Sequence, residues 1–544
     1  MKKILSVILA ALILFSVSSV SLTAFAQTCS CGITPVVYVK GYRHPQMKNE
    51  DGTMTPLLEN DMDIVSNLVE AALPLAAKAI VTGDWNEYCD TAYEILKPLY
   101  ADAQPRPDGT VKENTGICDD FEDTEFWSWN ENTINGNYHR YTNYEYRYIF
   151  DFRLSMIENA GDLNNYIQAV KAKTGHDKVV LVGRCGGTNL IAAYLYKYAE
   201  ANDFADIEKV IMVSSNVNGA DFMEALLSGT VVLEHDAVYR YLKYNESIDE
   251  LVSDPSINAF ITATIDMLQA SGFGLDAICN MAQSIYDKVK DRFFARLLKE
   301  YYGITPAYTS FVYDHYEEFK NYIFQEEGDL QKYAAIIADA DEYHYEAQMK
   351  FEDRLLTMRE AGVEIDNIVF YGDQTYPLTE TALLTSDEVA SVLDQSMGAK
   401  ASELDSTLSS SYIAAREAEG KGKYISADKQ IDASTCLLPE TTWFVKNAHH
   451  EFGAGLAGFV YYLEHTKNVT VETSAAYPQF LNRSSSDVYV PLQDENAEDT
   501  DWAKYDEEAK EGTSNFIEIV VEFLRNLILK VIGFIQGIIS HAKA

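Results

Sequence analysis

"KVVLVGRCGGTNLIAAYL" (residues 178–195) decides how this chain is read. A run of Val and Leu ends at Gly183, Cys185 follows two residues on, and Gly187 two after that; beyond it the pattern turns helical. A disulfide cysteine or a small buried cysteine has no need of glycine on both sides. A strand that turns sharply into a helix does. Such a turn holds its middle residue in a strained conformation with the side chain exposed above the sheet, and bulk two positions to either side would collide. The helix that follows aims its N-terminus at the thiol, which favours the thiolate. The layout is that of a presented nucleophile; the plainer alternative is an inert cysteine on a fold kept for binding.

Working outward, short β-branched runs recur at wide intervals: "PVVYVKGY" (35–42), "YRYIFDFR" (146–153), "KVVLVG" (178–183), "IEKVIMVSS" (207–215), "IDNIVFYGD" (365–373) and "TTWFVKN" (441–447). Several are apolar at consecutive positions, as strands buried on both faces of a parallel sheet are. Between the second and third, Ile157, Leu163, Ile167 and Val170 fall at helical spacing, and Gly175 is placed as a C-cap. Strand–helix–strand alternation predicts an α/β protein with right-handed crossovers. Arg153 reads as a sheet-end ion-pair partner, and His176 as a turn residue.

Composition narrows the function. The chain has 544 residues, and 43 Lys+Arg against 83 Asp+Glu give a net charge of −40, which repels nucleic acid and anionic headgroups. It lacks a GxxxxGK[ST] phosphate loop, a GxGxxG after a strand, an HExxH and paired CxxC motifs, so no cofactor, no metal and no nucleic-acid partner are expected. "MKK", the apolar "ILSVILAALILFSV" and "AFA" (24–26) fit a bacterial-type signal peptide over residues 1–26, hence a secreted protein; a retained anchor is the alternative. The seven cysteines are Cys29, Cys31, Cys89, Cys118, Cys185, Cys279 and Cys436. An odd count in an exported chain leaves at least one thiol free, and Cys185 is the one expected. Cys89 with Cys118 is one pairing that the sequence leaves open.

A nucleophile of this type needs an acid and a histidine later in the chain. Asp373 lies just past the strand "NIVFYG", and "WFVKNAHHEFG" supplies His449 and His450. Asp373 is also read as an ordinary strand-end turn residue. The order nucleophile, acid, histidine, with "PVVYVKGY", "FDFRLS" and "NAGDLNNYIQAVKAKTGHDKVVLVGRCGG", resembles the α/β-hydrolase superfamily. The resemblance is to secreted bacterial lipase/esterase-like members and, more distantly, to the lecithin:cholesterol acyltransferase type. It departs at Cys185, where most relatives carry serine, and at Lys40, where histidine is usual. It implies a Cys185–His450–Asp373 triad, His450 being preferred over its alternative His449 on the family spacing after Trp443. It also implies an oxyanion hole from the amides of Tyr42 and Gly186, and a thioester intermediate. The expected activity is cleavage of a lipid or other carboxylic ester; acyl transfer and a catalytically inactive binding or surface protein stay open.

The expected organisation follows. Residues 27–215 form the first part of an α/β-hydrolase core, a mainly parallel sheet flanked by helices, with insertions at 54–104 and 116–147. A large helical cap occupies 216–364, and the core resumes over 365–470. An acidic linker (471–514) leads to an amphipathic helix (515–541). That helix carries Glu522, Arg525 and Lys530, which a bilayer-spanning segment would bury at about 2.5–3.5 kcal/mol each near its centre. Peripheral membrane or partner contact is therefore expected of it.

Overall fold

The computed structural model describes residues 34–41, 47–49, 54–55, 71, 74–76, 78–97, 104–111, 115–117, 146–244, 274–300, 306–450, 455–474, 476–484 and 488–493. Outside the described residues lie the stretch expected to be a signal peptide (1–26), Tyr42, Cys29, Cys31, Cys118, most of the 116–147 insertion, the centre of the expected cap and the stretch expected to be an amphipathic helix (515–541).

Eight strands form the main sheet: β1 (Val36–Val39), β2 (Arg147–Tyr148), β3 (Val179–Cys185), β4 (Ile207–Ser215), β5 (Glu364–Tyr371), β6 (Thr442–Lys446), β7 (Phe480–Arg483) and β8 (Tyr489–Pro491). Their spatial order is β8-β7-β6-β5-β4-β3-β1-β2. Every neighbouring pair is parallel except β7 with β8. The apolar runs explain the burial. Val37, Val39, Val179 and Leu181 enter the core on one face, while Val36, Tyr38, Val180 and Val182 enter the core on the other. Period-two alternation with both faces apolar is what a sheet covered on both sides requires.

Helices fill the crossovers. α1 (Asn86–Leu96) belongs to the 54–104 insertion. α2 (Met156–Thr174) starts at Ser155, whose side chain accepts from the Glu158 amide in a capping box, and stops at Gly175 with φ 71°. Its Leu163 and Ile167 are fully buried; truncating either to alanine would cost about 2–5 kcal/mol. α3 (Gly186–Tyr194) leaves β3 directly. β2, two residues long, falls furthest short of its expected length. The chain turns out of the strand because the Asp151 carboxylate takes the Arg153 amide at 3.0 Å and its guanidinium at 2.7 and 2.9 Å, a buried sheet-end ion pair.

Between β4 and β5 the described residues form helices and no strand, including α4 (Asp221–Ser228), α5 (His235–Tyr244), α6 (Gly274–Val289), α7 (Tyr316–Ile323) and α8 (Phe351–Glu360). They share one continuous apolar core with the sheet and with α2 and α3. Gln348 ties them down, donating to the carbonyls of Val217 (2.8 Å) and Ser310 (2.9 Å). α9 (Leu456–His465) covers the opposite face of the sheet. β7 and β8 were not marked in the sequence and lie inside the stretch expected to be an acidic linker. "FLNR" and "YVP" are too short and too polar in their surroundings to register as apolar runs, yet they complete the sheet edge.

Candidate active site

Cys185 ends β3 and precedes the first residue of α3 with φ 51° and ψ −131°. A positive φ is costly for a residue with a Cβ and persists only where its surroundings enforce it. Three glycines do so. A Cβ on Gly183 would stand 2.7 Å from Ile191 Cδ1, and one on Gly187 would stand 2.1 Å from the Val39 carbonyl oxygen. The third is Gly41, whose Cβ would meet Cys185 Cβ at 2.7 Å, so the turn after β1 lies directly against the cysteine. Thr188 Oγ1 closes the elbow by donating to the Cys185 carbonyl at 2.6 Å. Gly186 opens α3 as the resemblance requires; its expected companion Tyr42 lies outside the described residues.

The loop after β6 brings His450 to this end of the sheet, where it is 2% exposed. Its Nδ1 stands 2.8 Å from Asp387 Oδ2 and 2.8 Å from Ser214 Oγ. The backbone repeats the pairing, since the His450 amide donates to the Asp387 carbonyl at 2.9 Å. Arg184 donates a further hydrogen bond to the His450 carbonyl, tying the elbow to the histidine loop. Asp387 Oδ1 accepts the amides of Val389 (3.1 Å) and Ala390 (2.8 Å), and its Oδ2 also accepts from Ser214 Oγ.

The electrostatics follow from these contacts. Burial pushes the Asp387 carboxyl up, but the His450 charge and the hydrogen bonds from His450, Ala390 and Ser214 outweigh it and hold the group below its usual range. Burial lowers His450, yet its electrostatic and hydrogen-bond interactions with Asp387 and Cys185 outweigh that and raise it well above its ordinary value. The other ring nitrogen, Nε2, has no hydrogen-bond partner among the described residues that meets ordinary geometry. It is left for the group beside it, Cys185.

The acid on His450 is thus Asp387, and not Asp373, which the sequence had placed there. Asp373 sits just past β5 as expected, but its carboxylate is 3.7 Å from His449 Nε2. His449 also meets Glu388 Oε2 through Nδ1 at 3.1 Å and is 30% exposed on its side chain. The physical reason is the excursion after β5. The Asp373–Ser386 and Ser386–Ser391 bridges fold the chain back on itself and set Asp387 inward and Glu388 outward. Two consecutive acids therefore meet two consecutive histidines.

Ser214 and Asn216 were also missed. Both stand where β4 ends, and both are fully buried. Ser214 has φ 49°, a second strained position at this end of the sheet. The signal was present in "VSSN", an abrupt polar run closing an apolar strand. Cys185, Ser214, Asp387 and His450 come from the carboxyl ends of β3, β4, β5 and β6, four adjacent strands, which is where open α/β sheets place their ligand sites. Among the described residues no group of three His, Cys, Asp or Glu is arranged to hold a metal ion.

No protein-family model matches the chain. No curated protein matches it either. Among solved structures it is similar to a chain in the crystal structure of the Tle4-Tli4 complex, at 11% identity and a TM-score of 0.20, over 36% of this chain and 48% of that one. The match spans about half the length of that chain. What the fold itself defines is a mixed α/β protein with an eight-stranded, mainly parallel sheet.

Proposed function

We propose that the protein cleaves carboxylic esters through Cys185 as nucleophile, His450 as general base and acid, and Asp387 as the carboxylate that orients the imidazole. The observation that carries this reading is the strained Cys185 elbow beside a buried His450–Asp387 pair. The thiolate attacks the ester carbonyl carbon, and the negative charge passes to the carbonyl oxygen. Collapse of that adduct expels the alkoxide, which takes the proton from His450 and leaves a thioester on Cys185. Water then attacks the thioester as His450 accepts its proton, and the carboxylic acid departs with the thiolate restored. The resemblance assigns the transient oxyanion to two backbone amides, that of Gly186 at the α3 N-terminus and that of Tyr42. The leader pattern at residues 1–26 fits action outside the cell, and residues 515–541 fit peripheral attachment.

The test is hydrolysis of p-nitrophenyl esters of graded chain length by wild type and Cys185→Ala, with mass mapping of the acyl adduct. Turnover that vanishes in the variant, with acyl mass on the Cys185 peptide, supports the reading. Equal hydrolysis by both proteins overturns it.

A further inference from the structure

Asn216 donates to the nucleophile from the side of β4. Its Nδ2 stands 3.4 Å from Cys185 Sγ. The residue is fully buried, and its backbone is fixed from three directions. The amide donates to Thr188 Oγ1 at 3.2 Å, and the carbonyl accepts from Asn189 Nδ2 at 3.2 Å and from the Gly219 amide at 3.0 Å. Thr188 and Asn189 both belong to the first turn of α3, so the carboxamide and the sulfur share one rigid frame. The other end of the carboxamide, Oδ1, is buried and has no hydrogen-bond partner among the described residues.

Buried polar atoms are almost always paired, and one that is not needs a reason. The oxygen and nitrogen of a carboxamide are about 2.2 Å apart, which puts the orphan acceptor within about 5.6 Å of the nucleophilic sulfur. A donor on the atom attached to the acyl α-carbon of a bound ester lies two bonds from the carbon under attack, within reach of that oxygen.

We infer that Asn216 Oδ1 is a substrate subsite, and that the preferred acyl group carries an N–H or O–H donor at its α-carbon, as α-acylamino and α-hydroxy esters do. The substrate class rests on the hydrolase reading above; the acceptor beside the sulfur does not. A site built to pair with a donor discriminates strongly against analogues that lack one, because its own polar group is then left unpaired. The Nδ2 end meanwhile holds the sulfur in place.

The experiment separates the two readings by using alkylation, which needs no hydrolysis. Iodoacetamide and 2-iodo-N,N-dimethylacetamide both form an S–C bond with the thiolate and expel iodide. The first places an N–H two bonds from the attacked carbon, and the second has none. Cys185 alkylation rates are measured for both by peptide mapping, and their ratio is divided by the same ratio for free glutathione. Wild type is expected to prefer the N–H reagent by about tenfold or more after that correction. Asn216→Leu and Asn216→Ala are expected to fall to the glutathione ratio, and Asn216→Asp, which keeps an acceptor oxygen, is expected to retain the preference.

A corrected wild-type ratio near one overturns the inference whatever the variants do, and so does an unchanged ratio in a folded Asn216→Leu or Asn216→Ala protein. The companion measurement compares kcat/KM for p-nitrophenyl N-benzoylglycinate and its N-methyl analogue. The same preference there supports the substrate class, and its absence with both esters cleaved overturns that class. If neither ester is cleaved but the alkylation preference stands, the hydrolase reading fails and the acceptor subsite survives.

Discussion

Asp387 Oδ2 lies 2.8 Å from His450 Nδ1, while Asp373, the acid nearest the end of β5, points its carboxylate at His449. This relationship separates two carboxylates that are close in sequence and equal in chemistry. Asp387→Asn keeps the shape and the two backbone contacts, but presents an amide to a ring nitrogen that needs an anion. Ester turnover in that variant is expected to drop by about 10³–10⁴-fold, as it does when a triad carboxylate is neutralised. Asp373→Asn is expected to stay near the wild-type rate. Initial rates on a short p-nitrophenyl ester decide between them, and the reverse ranking would return the acid role to Asp373.

The thiols give a second prediction. Cys89, Cys279 and Cys436 are free and buried. Burial pushes them up to about 11, about 12 and about 11. Deprotonation of these three near neutrality is negligible, and their access is blocked. Cys185 is partly exposed at the elbow. Iodoacetamide at pH 7 is therefore expected to label Cys185 ahead of these three in folded protein, and to label all four in urea. Peptide mapping of a time course checks it; early modification of Cys279 or Cys436 in the native state would contradict the burial argument.

The opening elbow and the core around it were legible because their causes are local. The glycine spacing around Cys185, the apolar runs of β1 and β3 to β6, and the capped helix after Ser155 all follow from neighbouring residues. Asp387 was not legible. Its place depends on a hairpin-like return through Ser386 that no periodicity marks, so position next to a strand end favoured Asp373 instead. Asn216 and Ser214 were hidden for a related reason. Serine and asparagine at a strand end read as turn residues, and only the packing of β4 beside β3 shows that they face the elbow. The edge strands β7 and β8 owe their existence to pairing with a sheet already formed, which short polar segments do not announce.

Glu224 on α4 offers a pH-dependent prediction. It is 5% exposed, and its Oε1 accepts the amides of both Tyr313 (3.2 Å) and His315. Burial, aided by the nearby charges of Asp314 and Asp221, raises its carboxyl to about 7 against those two hydrogen bonds. The folded state then binds this proton more tightly than the unfolded chain. Stability from this group is fully present below the unfolded value and is lost as pH climbs from there through about 7. The loss is about 3 kcal/mol at most. Glu224→Gln keeps a carbonyl oxygen for both amides and cannot ionise. Thermal unfolding of the variant is expected to match wild type closely at pH 5 and to lie several degrees above it at pH 8. A constant difference at both pH values would show that Glu224 does not titrate on folding.

The last prediction contrasts two glycines in helices. Gly187 lies in the first turn of α3, where a methyl group would be driven to 2.1 Å from the Val39 carbonyl oxygen. That contact is with backbone, so no side chain can swing aside. β1 and α3 would have to separate, taking the Gly41 turn away from Cys185. Gly187→Ala is expected to lose about 3 kcal/mol or more, in line with overpacking at its upper end, and to lose the selective alkylation of Cys185 with it. Gly458, inside α9 (Leu456–His465), is different: a Cβ there meets only the Tyr477 hydroxyl, at an ordinary 3.6 Å. Replacing a glycine by alanine at a helical position without a clash stabilises by about 0.4–1 kcal/mol, chiefly by restricting the unfolded chain. Urea unfolding of the two variants beside wild type should therefore move in opposite directions. If both are destabilised alike, the close approach of β1 to α3 is not what fixes the elbow.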